Sequence, residues 1–370
     1  MTSLSILIPV ETVQDDPARL VATLVAHAAK DLEIVLAAGS ADVADHLDLE
    51  TLARTDSRIR LAASPALMSR AALWGSAFEA STGAWVSLVR PGDMIEPDLV
   101  GIIRFIQARS PETDGFAWNA LQISKDAVQG ESASVGIPTG YTIVDFDKTD
   151  MLKAFFLWEG SHNIPKMPFG LHHAALNRRV ATMVHDSMAA SGRNPATPQW
   201  EWAARSVLLG EKFAFCARPL SIVDSRTFEP APDSVARSDF PFHAGIGLTA
   251  AIAEIQQSVF EEMGASWSGM EENFIRACMI DCMIETDPEI FNARCNLYYA
   301  ALRLWQNGRF ANLFKPQYAG DRQPDRRRGL QGSTLMIDRH IGGARTAPEF
   351  YEVIRHFLAP VGVICGGQTI

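Results

Sequence analysis

The sequence predicts an α/β protein in which helices flank a mostly parallel sheet, followed by a C-terminal helical extension. Three observations support this fold class. Strand and helix signals alternate through the first third of the chain, a pattern typical of parallel sheets covered on both faces. Of the 370 residues, 47% are hydrophobic and 21% are charged, which is an ordinary globular composition. After Pro241 the strand signals give way to three amphipathic helical patterns.

The N-terminal elements follow one another with recognisable boundary signals. Asp15-Asp16-Pro17 supplies a helix N-cap and a first-turn proline, and apolar residues then recur at helical spacing. Gly39-Ser40 predicts the turn after the second strand. The predicted elements are a strand at 4–10, a helix ending before residue 31, a strand at 32–37, a helix at 41–54 and a short strand at 58–62.

The next strand ends in a polar turn. The apolar spacing of residues 67–78 predicts a helix, closed by Gly83 in the left-handed conformation. Residues 85–89 form a β-rich run, and the turn Arg90-Pro91-Gly92-Asp93 separates it from a helix predicted at 97–109. Because ligands of open α/β sheets bind at the carboxyl ends of strands, this turn is a candidate site.

The rest of the chain divides into a sheet portion and a helical portion. Its predicted elements are a strand at 116–122, a loop or loose hairpin at 124–148, a strand at 170–176, a small-residue loop at 187–198, a helix from Pro198 or Gln199 to Leu209, a strand at 212–221, helices at 245–263, 269–285 and 288–307, and a final strand, helix (348–358) and strand (361–365). We expect three segments, at 1–225, 226–314 and 315–370.

Composition excludes several classes of function. The net charge of −10 and the pI near 5.4 argue against nucleic-acid binding, which needs clustered Lys and Arg. Five cysteines, widely spaced and odd in number, predict reduced thiols in the cytoplasm rather than a disulfide framework. No run approaches the roughly 20 apolar residues of a membrane span. The basic stretch 315–332, with Arg322 and Arg326–Arg328, leaves peripheral membrane contact open, although a solvated linker is the simpler interpretation.

Several segments resemble a known enzyme family in both order and content. The opening strand ending Pro9-Val10, the segment Glu33 to Asp42 around Gly39-Ser40, and Asp56-Ser57-Arg58-Ile59 are similar to segments of inverting family 2 glycosyltransferases. The resemblance covers roughly the first 225 positions and implies the GT-A fold. It also implies a nucleotide-sugar donor and a glycan or other hydroxyl acceptor.

The chain departs from the family at three acidic places. Ala37-Ala38 stands where the family carries two aspartates, one of which pairs with the nucleotide base, and Arg90-Pro91-Gly92-Asp93 replaces the metal-binding Asp-x-Asp-Asp turn. Pro198-Gln199 replaces the Glu-Asp pair that contains the catalytic base. No cofactor is firmly predicted. Mn²⁺ or Mg²⁺ has poor support because hard cations prefer several oxygen ligands and Asp93 alone remains.

The resemblance implies roles for individual residues, each with a structural alternative. Arg90 can contact the diphosphate in place of a metal, or simply belong to a surface turn. Asp93 can bind the donor or cap a helix. If residues 170–176 form a strand, His172 and His173 face opposite sides of the sheet. The predicted sets are catalytic Glu201 and His173; donor-binding Pro9, Glu11, Ala38, Ser40, Arg70, Arg90 and Asp93; and acceptor-binding His172, Trp200 and Trp202, whose indoles can equally be packing residues.

Two functions therefore remain open at this point. The first is an inverting glycosyl transfer in surface polysaccharide biosynthesis, metal-independent if Arg90 takes the place of the cation. The second is a noncatalytic relative that uses the same cleft, or the helical extension, to bind a glycan or a protein. The loss of all three acidic places motivates the second.

Overall fold

The computed structural model describes residues 3–27, 29–62, 67–124, 133–166, 169–225, 236–320 and 325–366. The strands are β1 (Leu4–Val10), β2 (Leu32–Ala38), β3 (Ile59–Ala62), β4 (Trp85–Leu88), β5 (Met94–Ile95), β6 (Gly115–Ser124), β7 (Ser134–Pro138), β8 (Ile143–Phe146), β9 (Ala174–Asn177), β10 (Phe213–Ser225), β11 (Gly329–Gln331) and β12 (Thr334–Asp338). The helices are α1 (Ala18–Ala26), α2 (Ala41–His46), α3 (Leu49–Arg54), α4 (Arg70–Ala80), α5 (Leu99–Arg109), α6 (Lys148–Phe156), α7 (Arg178–Ser191), α8 (Pro198–Leu209), α9 (Leu248–Glu262), α10 (Glu271–Met283), α11 (Pro288–Leu304), α12 (Ala347–Ile354) and α13 (Val361–Gly366).

The main sheet confirms the predicted α/β class. In the described part of the chain it has nine strands in the order β3-β2-β1-β4-β9-β6-β10-β5, with β8 paired to β10. Strands β1 to β4 pair in parallel, and β9 is antiparallel to both β4 and β6. Because β6 therefore runs with β4, and β10 is parallel to β6, the sheet is mostly parallel. Every residue of β1 and β2 is buried, as expected for strands covered on both faces.

Three apolar clusters hold the helices against this sheet. One face packs against α1, α5, α12 and α13, and the other against α4 and α7. A third cluster joins α6 and α8 to the helices of the extension, α9, α10 and α11. The C-terminal segment also adds β12 to β7 in a second, three-stranded sheet. Within the described residues no helix is long and apolar enough to cross a membrane.

The structure confirms helices α8 to α11 and corrects several other elements. The helix predicted at 41–54 is two helices, α2 and α3, because Asp48 adopts a left-handed conformation between them and caps the second. Helix α7 occupies residues 178–191, where the small residues of its last turns were expected to form a loop. The final segment, predicted as a strand, is helix α13.

Gly83 does not close α4 as predicted. That helix ends at Ala80, and Ser81 caps it in an extended conformation. A Cβ on Gly83 would lie 2.5 Å from the backbone nitrogen of Ser5, so this glycine is needed for close approach to β1. Arg322 and the part of the predicted hairpin at 125–132 lie outside the described residues.

Candidate functional site

The end of β4 meets the segment that leads into β9. The amide of Leu88 donates to the carbonyl of Leu171, and the amide of His173 donates to the carbonyl of Leu88. These bonds place two consecutive histidines, His172 and His173, beside the turn that follows β4. This is the carboxyl edge of the parallel sheet, where α/β proteins bind ligands.

The two histidines do not lie in a strand, so the prediction that they face opposite sides is wrong. Strand β9 begins only at Ala174, and His173 has φ 55°, in the left-handed region. This conformation is uncommon for residues other than glycine, although histidine adopts it more readily than most. Consequently both rings point to the same side, with centroids 4.2 Å apart and planes inclined by 70°.

Asp93 lies at the centre of this group. Its carboxylate is completely buried, with both imidazoles beside Oδ2 and with hydrogen bonds from Arg90 and the amide of Asp224. His173 Nε2 lies 3.0 Å from Oδ2 and His172 Nε2 lies 3.5 Å from the same oxygen. Arg90 Nε donates to Oδ2 at 3.1 Å, and the amide of Asp224 donates to Oδ1 at 2.9 Å. Asp93 does not cap a helix, because the N-cap of α5 is Asp98.

The charges in this cluster follow from burial and from these neighbours. Burial alone would raise the pKa of Asp93, but the two imidazoles and the charge of Arg90 outweigh it and hold that pKa well below its usual range. For His172, burial is the main cause that lowers the pKa, to about 3. The group therefore contains an ionised carboxylate beside a neutral imidazole of His172.

Three buried nitrogens of this region have no hydrogen-bond partner among the described residues. They are His172 Nε2, His173 Nδ1 and Trp74 Nε1. The Trp74 ring, on α4, lies 6.1 Å from the His172 ring, centroid to centroid. Buried polar atoms are nearly always paired in folded proteins, so several unpaired nitrogens together indicate a place for a bound species.

A second group of predicted donor residues lies at the ends of β1 and β2. Arg70 Nε donates to both carboxylate oxygens of Glu11, at 2.8 and 3.0 Å. Pro9 pairs with Ala37 across the two strands, and the buried Ala38 pairs with Val10. Ser40 accepts from the amide of Val43 and caps α2, so its hydroxyl has a structural role. The structure thus brings a carboxylate, Glu11, to the edge where the family resemblance led us to expect an aspartate.

The residues predicted to bind the acceptor on α8 are packing residues in the structure. Trp200 is 7% exposed and contacts Phe155, and Trp202 is 1% exposed and contacts Phe78. These contacts give both indoles a packing role, and their role in acceptor binding stays a prediction. The sequence signal for that role was the position of the pair around Glu201.

Glu201 belongs to a separate buried ion network. Its side chain is 1% exposed, and Oε1 accepts from Arg205 at 2.6 and 2.9 Å and from Arg193 at 2.9 Å. Glu262, on α9, pairs with both arginines. This network joins α8 to the helical extension, and these contacts do not include the Asp93 cluster.

The metal-ligand atoms around Asp93 decide which cation the cluster can hold. One ligand atom each from Asp93, His172 and His173 lies within 4.8 Å of the other two. Mg²⁺ fits poorly, because it prefers oxygen ligands in near-octahedral geometry and two of the three ligand atoms are imidazole nitrogens. Two imidazoles and one carboxylate suit Mn²⁺, Zn²⁺ and similar transition ions. Sequence reasoning missed this cluster, since only the left-handed turn at His173 reveals that both rings face Asp93.

Comparison with known proteins gives the fold and no closer relationship. No protein-family model matches the chain, and no curated protein sequence matches it. The crystal structure of S. aureus TarS 1-349 in complex with UDP-GlcNAc is similar, with a TM-score of 0.51, 10% sequence identity, and 82% of this chain and 81% of that chain covered. S. aureus TarS 1-349 without a named ligand gives a TM-score of 0.48 at 9% identity, covering 84% and 83%. The protein therefore has the fold of GT-A glycosyltransferases such as TarS.

Proposed function

We propose that this protein transfers a sugar from a nucleotide-sugar donor to a hydroxyl acceptor. One observation carries the proposal. Arg90, Asp93, His172 and His173 converge at the end of β4, on the edge where a sheet of this fold binds its ligand. The structural similarity to TarS, whose crystal structure is named as a complex with UDP-GlcNAc, supports a donor of this type. A cytoplasmic role in surface polysaccharide assembly is the setting we propose.

The reaction we propose is a direct displacement with inversion. The acceptor oxygen forms a bond to the anomeric carbon while the bond from that carbon to the diphosphate breaks. The diphosphate leaves with the bonding electrons. Arg90 is the residue we assign to this developing charge, because its side chain is 31% exposed and its guanidinium stays ionised.

Neither predicted base has a free, exposed acceptor atom. Two arginines hold Glu201, and His173 is 8% exposed with Nε2 directed at Asp93. In this proposal the acceptor proton therefore ends on the released diphosphate, since a phosphate group takes up a proton with a pKa of about 6. Stabilisation of the leaving group then supplies most of the catalysis.

Calorimetric titration with UDP-, GDP- and CMP-sugars tests donor binding. Arg90→Ala should weaken binding about tenfold or more, since a hydrogen bond to a charged group contributes roughly 1.5–3 kcal/mol. The matched control is Arg104→Ala. It removes an exposed arginine of α5 that pairs with Asp31. If no donor binds the wild-type protein, the proposed function is refuted.

A noncatalytic binding protein is the second candidate, and the burial of Glu201 and His173 favours it. Donor hydrolysis and transfer measured on the same preparations separate the two functions. Donor binding without release of nucleotide diphosphate, in the presence of a broad set of glycan acceptors, supports the binding protein. Turnover that Arg90→Ala abolishes and Arg104→Ala retains supports the transferase.

A further inference from the structure

We infer that Asp93, His172 and His173 form a binding site for a transition-metal ion, with Mn²⁺, Co²⁺ or Zn²⁺ preferred over Mg²⁺. This inference goes beyond the proposed function, because metal binding can be measured without any donor. The family resemblance implies a carboxylate site for a hard cation. The residues of this chain instead offer two nitrogens and one oxygen.

The distances in the cluster match those between ligands of one ion. Metal–nitrogen and metal–oxygen bonds to Zn²⁺ are about 2.0–2.2 Å long, so two ligands of the same ion lie roughly 3.0–3.5 Å apart at right-angled or tetrahedral positions. Asp93 Oδ2 lies 3.0 Å from His173 Nε2 and 3.5 Å from His172 Nε2. A spacing of 3.5 Å is too long for a good hydrogen bond but suits two ligands of a shared ion.

The polar atoms around the cluster also favour a bound ion. His172 Nε2 is buried and has no hydrogen-bond partner among the described residues, although it is directed at the carboxylate. An ion between these atoms would use that lone pair. It would also account for the left-handed backbone of His173, a conformation that costs about 1–3 kcal/mol and persists where the surroundings demand it.

Arg90 supplies a competing positive charge. Its guanidinium contacts both oxygens of Asp93, at 3.1 and 3.3 Å. An ion at Asp93 must share that carboxylate with Arg90 or displace it. The partly exposed side chain of Arg90 has room to turn towards solvent or towards a donor diphosphate. Removal of the Arg90 charge should therefore strengthen metal binding.

The test is titration of the metal-free protein with Co²⁺ and Mn²⁺. Visible absorption reports Co²⁺ coordination, and electron paramagnetic resonance reports free Mn²⁺. We expect one ion per chain, with little competition from a large excess of Mg²⁺. His172→Ala and His173→Ala should each weaken binding about 100-fold, since loss of an outer-shell partner alone weakens binding about 10–100-fold. Arg90→Gln should strengthen binding severalfold.

Two control variants show whether a different histidine or a thiol binds the ion instead. His185→Ala removes a histidine that contacts Glu79 and Asp186 on the helix α7 side, and it should bind as the wild type does. Cys282→Ser tests whether a thiol binds the ion. Co²⁺ bound by thiolate has a strong near-ultraviolet absorption band that a histidine site lacks. Circular dichroism checks that His172→Ala, whose side chain is 20% exposed, is folded.

The outcomes separate this inference from the proposed function. Metal binding that survives in His172→Ala and His173→Ala, or no binding by the wild type, overturns the metal site and leaves Asp93–His173 as a hydrogen-bonded pair. Donor binding in that case preserves the proposed function. Metal binding without any donor binding supports the metal site and refutes the proposed function.

Discussion

Replacement of Glu201 distinguishes a structural role from the catalytic role that the sequence predicts for it. The network around Glu201 contains two arginines, Arg193 and Arg205, and two glutamates, Glu201 and Glu262, so its charges balance. Glu201→Leu removes one negative charge and leaves an excess positive charge in a buried place. Arg205, which is 1% exposed, cannot turn to water to compensate.

The size of the effect follows from the cost of an uncompensated buried charge, because Glu262 alone would then face both arginines. Removal of one partner from a buried ion pair destabilises a protein by about 3–5 kcal/mol. The entropy of unfolding is about 2.1 cal/mol/K per residue, or about 0.8 kcal/mol/K for 370 residues. Glu201→Leu should therefore lower the melting temperature by about 4–6 °C.

The double variant Glu201→Leu/Arg205→Leu provides the decisive comparison. It removes one charge of each sign and leaves Arg193 paired with Glu262 at 2.5 Å. Because a buried pair replaced by apolar residues is often neutral in stability, the double variant should be at least about 1 kcal/mol more stable than Glu201→Leu. Thermal and urea denaturation followed by circular dichroism measure both. A double variant less stable than the single one would falsify the charge-balance reasoning, and an unchanged melting temperature in Glu201→Leu would return Glu201 to the catalytic candidates.

Three further predictions concern other parts of the chain. Hydrogen bonds from Arg58 lower the pKa of Asp56 from 3.8 to about 2. The ionised carboxylate therefore stabilises the fold by about 1–2 kcal/mol above about pH 4, and this contribution is lost as the pH falls from about 4 to 2. Asp56→Asn should flatten that part of an acid denaturation curve, and a curve of unchanged shape would contradict the assignment. His173→Gly should be about 1 kcal/mol more stable to urea than His173→Ala, because glycine adopts the left-handed conformation without strain; equal stabilities would mean that the turn relaxes. Gly83→Ala should lower the free energy of unfolding by about 3 kcal/mol, because the added Cβ would meet the backbone of β1. The control Gly362→Ala, which has open space around the added Cβ, should match the wild type in thermal denaturation.

Sequence reasoning predicted the fold well because hydrophobic periodicity and the signals for helix and strand ends are local. Alternating strands and helices, the proline at the start of α8 and the amphipathic patterns of α9 to α11 all depend on neighbouring residues. The errors arose where a distant part of the chain decides the conformation. Gly83 has the position of a helix terminator, but its role is set by contact with Ser5 on β1. Helix α7 is held by packing against β9 and α8, which its small, polar last turns do not predict.

The candidate site was predicted only in part for a similar reason. Arg90, Asp93, His172 and His173 were each identified from the sequence, but their arrangement depends on a single left-handed residue. A strand at 170–176 would have separated the two imidazoles. Nor does sequence spacing show that Trp200 and Trp202 are buried and contact Phe155 and Phe78.

The three places that lack the expected acids share a feature in the structure, since each now contains an arginine paired with a carboxylate. These pairs are Glu11 with Arg70, Asp93 with Arg90, and Glu201 with Arg205. Such an arginine can bind a donor diphosphate only if its guanidinium leaves the paired carboxylate or contacts both groups at once. The side chains of Arg70 and Arg90 are 27% and 31% exposed, whereas that of Arg205 is 1% exposed.

This difference in exposure separates the predicted donor-binding arginines from the ion network around Glu201. A donor diphosphate can compete for Arg70 at modest cost, because both partners of its ion pair are partly solvated. It can compete for Arg90 because the buried Asp93 keeps His173 and the amide of Asp224 as partners. Release of Arg205 on α8 would leave the buried Glu201 with Arg193 as its ion-pair partner and would take a fully buried arginine from its contacts, which is more costly. Ligand recognition is therefore expected at the ends of β1 and β4. The network on α8, by contrast, holds the helical extension to the sheet.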